Sequence, residues 1–365
     1  MPEMHLARRS RLQPMMAALG ADAALITSLP NVRYLTGLAS SNAALLLPAS
    51  GEAAVLATDS RYAGTARRDC PDLELRTDRF IEPMLARAAA ERQLTRLAFE
   101  AHEMTVERHE ALTAAAPSLD LIPLGRAVEQ LRMIKDEAEI ELLAQACAIT
   151  SRAFDQIVAS IRPGLTERDL ATLLERTMAD LGAERPAFET IVASGPNGAI
   201  PHHVPSGREL APGDLITIDC GARYAGYHAD MTRTVALGPP ADWQRDVYGL
   251  VAAAQQAGIE AAVPGTDVAQ VDGAARGVIS QAGHGDHFTH GLGHGVGLEI
   301  HEAPIMGYGR TGTLGDRVPI TVEPGVYLPG QGGVRIEDTL VVRAAAGAAG
   351  PQELLTTTTR ELLVL

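Results

Sequence analysis

Gly213-Asp214-Leu215-Ile216-Thr217-Ile218-Asp219-Cys220-Gly221 and its later counterpart Gly315-Asp316-Arg317-Val318-Pro319-Ile320-Thr321-Val322-Glu323-Pro324-Gly325 decide how this chain folds. Each opens on a Gly-Asp turn, runs through an apolar strand rich in β-branched residues and ends on a carboxylate. Outward from the two strands, the flanking sequence repeats as well. A long helix spans Lys135 to Ile161, with Ile140, Leu143, Ile149, Phe154, Ile157 and Val158 on its apolar side. A second spans Asp242 to Ala262. Each is followed by a Pro-Gly turn (Pro163-Gly164-Leu165-Thr166-Glu167 and Pro264-Gly265-Thr266-Asp267), a further helical stretch and a His-rich loop. Two Gly-Asp turns would match by chance, but four elements in the same order point to an internal duplication. Two such halves facing each other bring Asp219 and Glu323 to a shared central cleft.

Before this duplicated region the pattern differs. Ala23–Ile26, Ala43–Leu47, Ala53–Ala57 and Leu119–Ile122 read as strands, and Glu82–Arg92 and Thr105–Ala115 as helices. Residues 1–125 are therefore an α/β domain, and the boundary falls near Arg126, after Pro123-Leu124-Gly125; the duplicated domain takes 126–365. A chain of 365 residues with 46% hydrophobic content suits two globular domains. No apolar run reaches the roughly 18 residues of a membrane span. Met1 to Gln13 carries Arg8, Arg9 and Arg11 with no apolar stretch behind them, unlike a signal peptide. Cys70, Cys147 and Cys220 lack metal-ligand spacing and suit small core residues in a reducing, cytoplasmic compartment. Residues 1–126 carry 14 Arg against 15 Asp and Glu, whereas 127–365 carry 17 Arg and Lys against 30 acids. So acidic a second domain repels phosphate backbones, which excludes nucleic acid as a partner.

Some of those acids sit where a charge does not belong. Asp219 lies in Thr217–Gly221, Asp230 in His228-Ala229-Asp230-Met231-Thr232-Arg233-Thr234 on the adjacent strand of a hairpin, Glu323 in Thr321–Gly325 and Glu337 in Val334-Arg335-Ile336-Glu337-Asp338-Thr339. Each falls within an apolar run, where an unpaired charge is costly to bury. Brought together, the four would raise one another's pKa unless cations neutralise them. Two divalent ions balance four carboxylates. His290-Gly291-Leu292-Gly293-His294-Gly295-Val296-Gly297 adds imidazole to a hard, oxygen-rich donor set, which favours manganese, with cobalt, iron or zinc as alternatives. Two such ions polarise a scissile carbonyl and lower the pKa of a shared water.

These segments resemble those of the pita-bread metallopeptidases: methionine aminopeptidases, Xaa-Pro aminopeptidases and Xaa-Pro dipeptidases (prolidases). The resemblance covers nearly the whole chain, and the five ligand positions match in order and spacing. It implies an α+β chain: a C-terminal pita-bread fold with an internal pseudo-two-fold repeat, preceded by a smaller α/β creatinase-type domain. It also implies roles. Asp219 and Glu323 each serve one metal ion, His294 joins Glu323, and Asp230 and Glu337 bridge both. His202 and His301 contact substrate or stabilise the tetrahedral intermediate, His290 shapes the proline side of the pocket, and Arg335 orients the bridging acids. Glu323 is the expected general base.

The large N-terminal domain, His290 four residues before the ligand histidine, and Arg335 resemble the proline-specific branch rather than methionine aminopeptidases. An Xaa-Pro bond is a tertiary amide with no N–H, so it calls for a dedicated pocket. Creatinase and the non-catalytic pita-bread proteins lack the five-ligand set that this chain keeps. The expected substrates are proline-containing di- or oligopeptides, with a dipeptidase favoured by the compact chain and an aminopeptidase as the alternative. The family commonly forms dimers. The segment Ser28–Ser41, with Asn31, Arg33 and Tyr34, is expected to be a loop reaching substrate in a partner's cleft, with Arg33 pairing a surface acid as the competing reading.

Overall fold

The computed structural model describes residues 2–50, 52–347 and 350–365. The chain forms two compact units, Met1–Arg132 and Met133–Leu365. The division falls in the helix Ala127–Met133, later than Arg126. Most of that helix goes with the first unit because Arg132 donates to the Asn31 side chain at 2.7 Å and the Tyr34 hydroxyl to the Leu131 carbonyl at 3.3 Å.

The first unit is a six-stranded mixed sheet in the order Glu74–Thr77, Val55–Thr58, Ala43–Pro48, Ala23–Ile26, Arg96–Phe99, Asp120–Pro123. Ala23–Ile26 is antiparallel to Ala43–Pro48 and parallel to Arg96–Phe99. The fully buried runs Ala23–Ile26 and Ala43–Pro48 are the ones legible from hydrophobicity. The edge strand Glu74–Thr77 carries charge and no such signal. Helices Ile81–Glu91 and Val106–Ala115 form where expected, with Leu85, Ala88, Ala89 and Leu112 in the core under the sheet.

One expectation fails in this unit. Ser28–Ser41 is not a loop: Leu29–Thr36 is a helix with Pro30 in its first turn, ended by Gly37 in the left-handed conformation. Buried Glu100 accepts hydrogen bonds from the Ser28 amide and the Asn31 side chain, which holds the helix start. Tyr34 is 1% exposed, its ring beneath the Arg8 guanidinium at 4.3 Å, so it serves packing and not substrate capture.

The second unit shows the duplication as repeated architecture. Glu137–Val158 is the long first helix, opened by a capping box between Asp136 and Glu139. Glu167–Asp180 follows, and then the sheet Ile191–Ser194, Leu215–Cys220, Met231–Ala236. The second half repeats this with helices Asp242–Ala261 and Val268–Gln281. Its sheet has Gly293–Gly295 beside Val318–Val322, which pairs antiparallel with Asp338–Gly347. In each half a short hairpin, Ala222–Tyr224 with Tyr227–His228 or Gly325–Leu328 with Gly332–Arg335, separates the outgoing strand from the returning one. Each half also has its own core, one around Phe154, Leu170, Leu174, Ile216 and Ile218, the other around Val251, Val271, Ile279, Ile320 and Val322. Among the described residues no helix is long and apolar enough to cross a membrane.

Candidate metal centre

Strand alternation aims the carboxylates. Along Leu215–Cys220, Ile216, Ile218 and Cys220 enter the first core, so Asp219 faces the other way. Asp230 stands just before the returning strand, whose Thr232 lies opposite Asp219. Gly221 makes this closeness possible: a Cβ there would meet the Ala229 carbonyl oxygen at 1.8 Å. In the second half Ile320 and Val322 take the core face, and Glu323 follows on the opposite one. Glu337 precedes Asp338–Gly347 as Asp230 precedes Met231–Ala236. His294 lies on Gly293–Gly295, and Gly293 lets that strand approach the Thr321 carbonyl, which an added Cβ would meet at 2.1 Å.

The five side chains line one cleft of about 510 Å³. Ligand atoms of Asp230, His294 and Glu337, all buried, lie within 4.8 Å of one another. His294 Nε2 is 3.5 Å from Asp230 Oδ2 and 3.4 Å from Glu323 Oε1. Its Nδ1 donates to the Gly295 carbonyl at 3.0 Å, and burial pushes its pKa down to about 4. Neutral His294 therefore turns the Nε2 lone pair toward two carboxyl oxygens.

Burial lifts the Glu323 carboxyl to about 8, and burial together with the neighbouring carboxylates raises Asp230 and Glu337 well above the usual range. Asp219 Oδ1 and Glu337 Oε1 are buried without a hydrogen-bond partner. Among the described residues the one cation in contact with the acids is the Arg335 guanidinium, whose Nη2 donates to Asp219 Oδ2 at 2.7 Å. Orphaned oxygens, a lone pair aimed at acids and an excess of carboxylates are the features that divalent cations satisfy, so the donor set fits metal ions.

The expected substrate-contacting residues line the same cleft. His202, His290, His301 and Arg335 all face it, as do the apolar Phe188, Ile191, Ile300 and Ile305. The His301 ring meets the His294 ring edge-on at 4.4 Å, and burial lowers its pKa. His290 donates from Nδ1 to the Gly291 carbonyl, and its Nε2 accepts from the Tyr327 hydroxyl at 2.8 Å. Arg335 differs from the expectation that it orients the bridging acids. It binds Asp219 directly, and it reaches Glu337 only through Thr232, whose hydroxyl accepts from Arg335 Nε at 3.1 Å and donates to Glu337 Oε2 at 2.7 Å. No hydrogen bond joins it to Asp230, because the guanidinium is also engaged by the Tyr327 hydroxyl at 2.8 Å and the Pro201 carbonyl at 3.3 Å. Tyr327 was not legible in advance, since one aromatic in a strand reads as core. His203 also faces the cleft and binds Glu167, and neither residue has a motif of its own.

Residues 141–344 match metallopeptidase family M24, and residues 8–134 match the creatinase/prolidase N-terminal domain. An Xaa-Pro dipeptidase of Pyrococcus furiosus is 46% identical over 237 residues, 65% of this chain and 66% of that protein. The structure of an Xaa-Pro dipeptidase from Bacillus anthracis superposes with a TM-score of 0.94 at 35% identity, covering 99% of this chain and 100% of the other. An X-Pro aminopeptidase structure from Thermotoga maritima gives 0.89 at 36% identity, covering 98% and 99%.

Proposed function

This chain belongs to metallopeptidase family M24, and from that membership we propose that it is a metal-dependent exopeptidase hydrolysing the Xaa-Pro bond of dipeptides. The observation that carries the reading is the convergence of three buried carboxylates, the half-buried Glu323 and one imidazole, two of the carboxylate oxygens unpartnered, in a histidine-lined cleft. In this reading Asp219, Asp230, His294, Glu323 and Glu337 would hold two divalent ions, with manganese the preferred occupant over cobalt, iron or zinc. Bound there, the ions supply Lewis-acid polarisation of the scissile carbonyl and a nucleophilic water at neutral pH.

The chain's own groups do the rest. Glu323 takes a proton from the attacking water and passes it to the leaving proline nitrogen, which departs as a secondary amine. His202 and His301 offer N–H donors to the oxyanion of the tetrahedral intermediate. His290, held by Tyr327, forms the proline side together with the apolar wall. The tertiary amide has no N–H to recognise, so shape and imidazole contacts take over that task.

Relatives of both specificities resemble this chain, and the dipeptidase reading leans on the Pyrococcus and Bacillus proteins. Steady-state rates on Xaa-Pro, Xaa-Pro-Xaa and longer peptides test it. A kcat/KM that falls sharply once a residue follows proline supports a dipeptidase, and equal or rising values reassign the chain as an aminopeptidase. A homodimer in a reducing, cytoplasmic setting completes the proposal: Cys70, Cys147 and Cys220 are all buried free thiols, and light scattering in solution tests the dimer.

A further inference from the structure

One wall of the cleft is built in an unusual way. Pro201, His202, His203, Val204 and Pro205 line it, yet the segment from Gly195 to Ser206 has only a short 3-10 turn, Gly195–Ala199, and no sheet pairing. Apolar anchoring is weak as well, with Ile200 50% and Val204 72% exposed. A loop so placed should be mobile unless polar contacts hold it.

Glu167 supplies those contacts. It is the first residue of the helix Glu167–Asp180 and is fully buried. Its Oε1 accepts from the Ser194 amide at 2.8 Å, the Ser194 hydroxyl at 2.7 Å and Asn197 Nδ2 at 2.9 Å. Its Oε2 accepts from His203 Nε2 at 2.8 Å, the Ser206 amide at 3.0 Å and the Ser206 hydroxyl at 2.6 Å. The donors fall at the start of the segment, within it, beside His202 and at its end. Four of these six hydrogen bonds come from Asn197, His203 and Ser206 within the wall, and the two from Ser194 tie it to the strand Ile191–Ser194 that leads into it. Burial would raise its pKa, but the donors from Ser206, Asn197, His203 and Ser194 outweigh burial and hold it at about 2, so it stays an anion throughout the working range. The far side of the wall is pinned too, where the Pro201 carbonyl accepts from Arg335.

We propose that Glu167 is a positioning residue for catalysis, clamping the Gly195–Ser206 wall so that His202 is held at the reacting carbonyl. The bland alternative is a buried carboxylate that only stabilises the fold. The two differ in what happens when His202 is absent. The inference rests on the proposed role of His202, and the experiment separates the two claims.

The test is a double-mutant cycle on the metal-loaded enzyme with an Xaa-Pro dipeptide. Glu167→Gln replaces one acceptor oxygen by a donor, facing three donors, and should lower kcat about 10-fold or more, since small misplacements of a reacting group cost that much, with KM little changed. Metal content should stay at the wild-type value. In a His202→Ala background the same substitution should change kcat less than about 2-fold, because there is no longer an imidazole to misplace. If Glu167→Gln does not fold, His203→Ala takes its place in the cycle, and His203→Gln, which keeps a donor, should restore kcat. An equal loss in both backgrounds, an unchanged kcat in the single variant, or a loss accounted for by missing metal overturns the inference while leaving His202 in its role. Wild-type kcat in His202→Ala alone overturns the reading of His202, and the inference with it.

Discussion

The Glu323 carboxyl illustrates how one residue is defined by its surroundings. Ending an apolar strand, it is lifted by burial to about 8 and lies 3.4 Å from His294 Nε2. Glu323→Gln keeps the shape and one ligand oxygen but cannot take a proton. It should lower kcat by about 10²–10⁴-fold. Elemental analysis must accompany the kinetics, since metal loss would move the effect from proton transfer to ligation. Glu167 carries a different signature, one of stability. Its pKa falls from 4.5 to about 2 on folding, so the folded state binds fewer protons near pH 3–4 than the unfolded chain. The associated stability, on the order of 3 kcal/mol, is complete above about pH 5 and is lost as pH falls toward 2. Denaturant titrations should show wild-type stability declining over that window more steeply than that of Glu167→Gln. Parallel curves would remove the assignment of a depressed carboxyl at this position.

Elements, rather than residues, create the site. In each half an outgoing strand delivers one acid, a short hairpin intervenes, and the second acid comes just before the returning strand: Asp219 and Asp230, then Glu323 and Glu337. The hairpin tolerates little added bulk at its neck. Gly221→Ala places a methyl 1.8 Å from the Ala229 carbonyl, and neither backbone can yield without moving an acid. It should destabilise the protein by about 1–3 kcal/mol, a typical cost of overpacking, and weaken metal binding, read by chemical denaturation and by metal titration. A variant with wild-type stability and metal affinity would mean the two strands are less tightly coupled than the geometry implies.

At the scale of the whole molecule, the buried acids make stability depend on cations. Four carboxylates with one guanidinium among them repel one another, and anything that binds the folded site alone shifts the folding equilibrium. Chelation should abolish hydrolysis and lower the melting temperature, and adding manganese back should raise it with concentration, by about 2.7 kcal/mol at a hundredfold excess over Kd. A melting temperature indifferent to chelation, with activity intact, would sink the metal-centred mechanism.

The duplication, both long helices and the residue types of the site were legible in the primary structure. Glycine turns, β-branched runs and caps are local signals, and each acid stood out by being flanked with apolar residues. What no local signal carries is which side chains meet. The helix at Leu29–Thr36 read as a loop because its start is held by Glu100, distant in sequence, and burial of Tyr34 depends on Arg8 and Leu131. Tyr327 and Glu167 were silent for the same reason, as an ordinary tyrosine in a strand and an ordinary glutamate at a helix start. Their importance lies in partners brought to them by the folded chain: His290 and Arg335 for the first, Ser194, Asn197, His203 and Ser206 for the second. The sequence by itself determined most of the elements and the acid-rich chemistry of the site, because propensity and patterning act over a few residues. Only the tertiary structure decided that Arg335 binds Asp219 and that one buried carboxylate gathers a wall of the cleft, because hydrogen bonds act over about 3 Å in space whatever the separation along the chain.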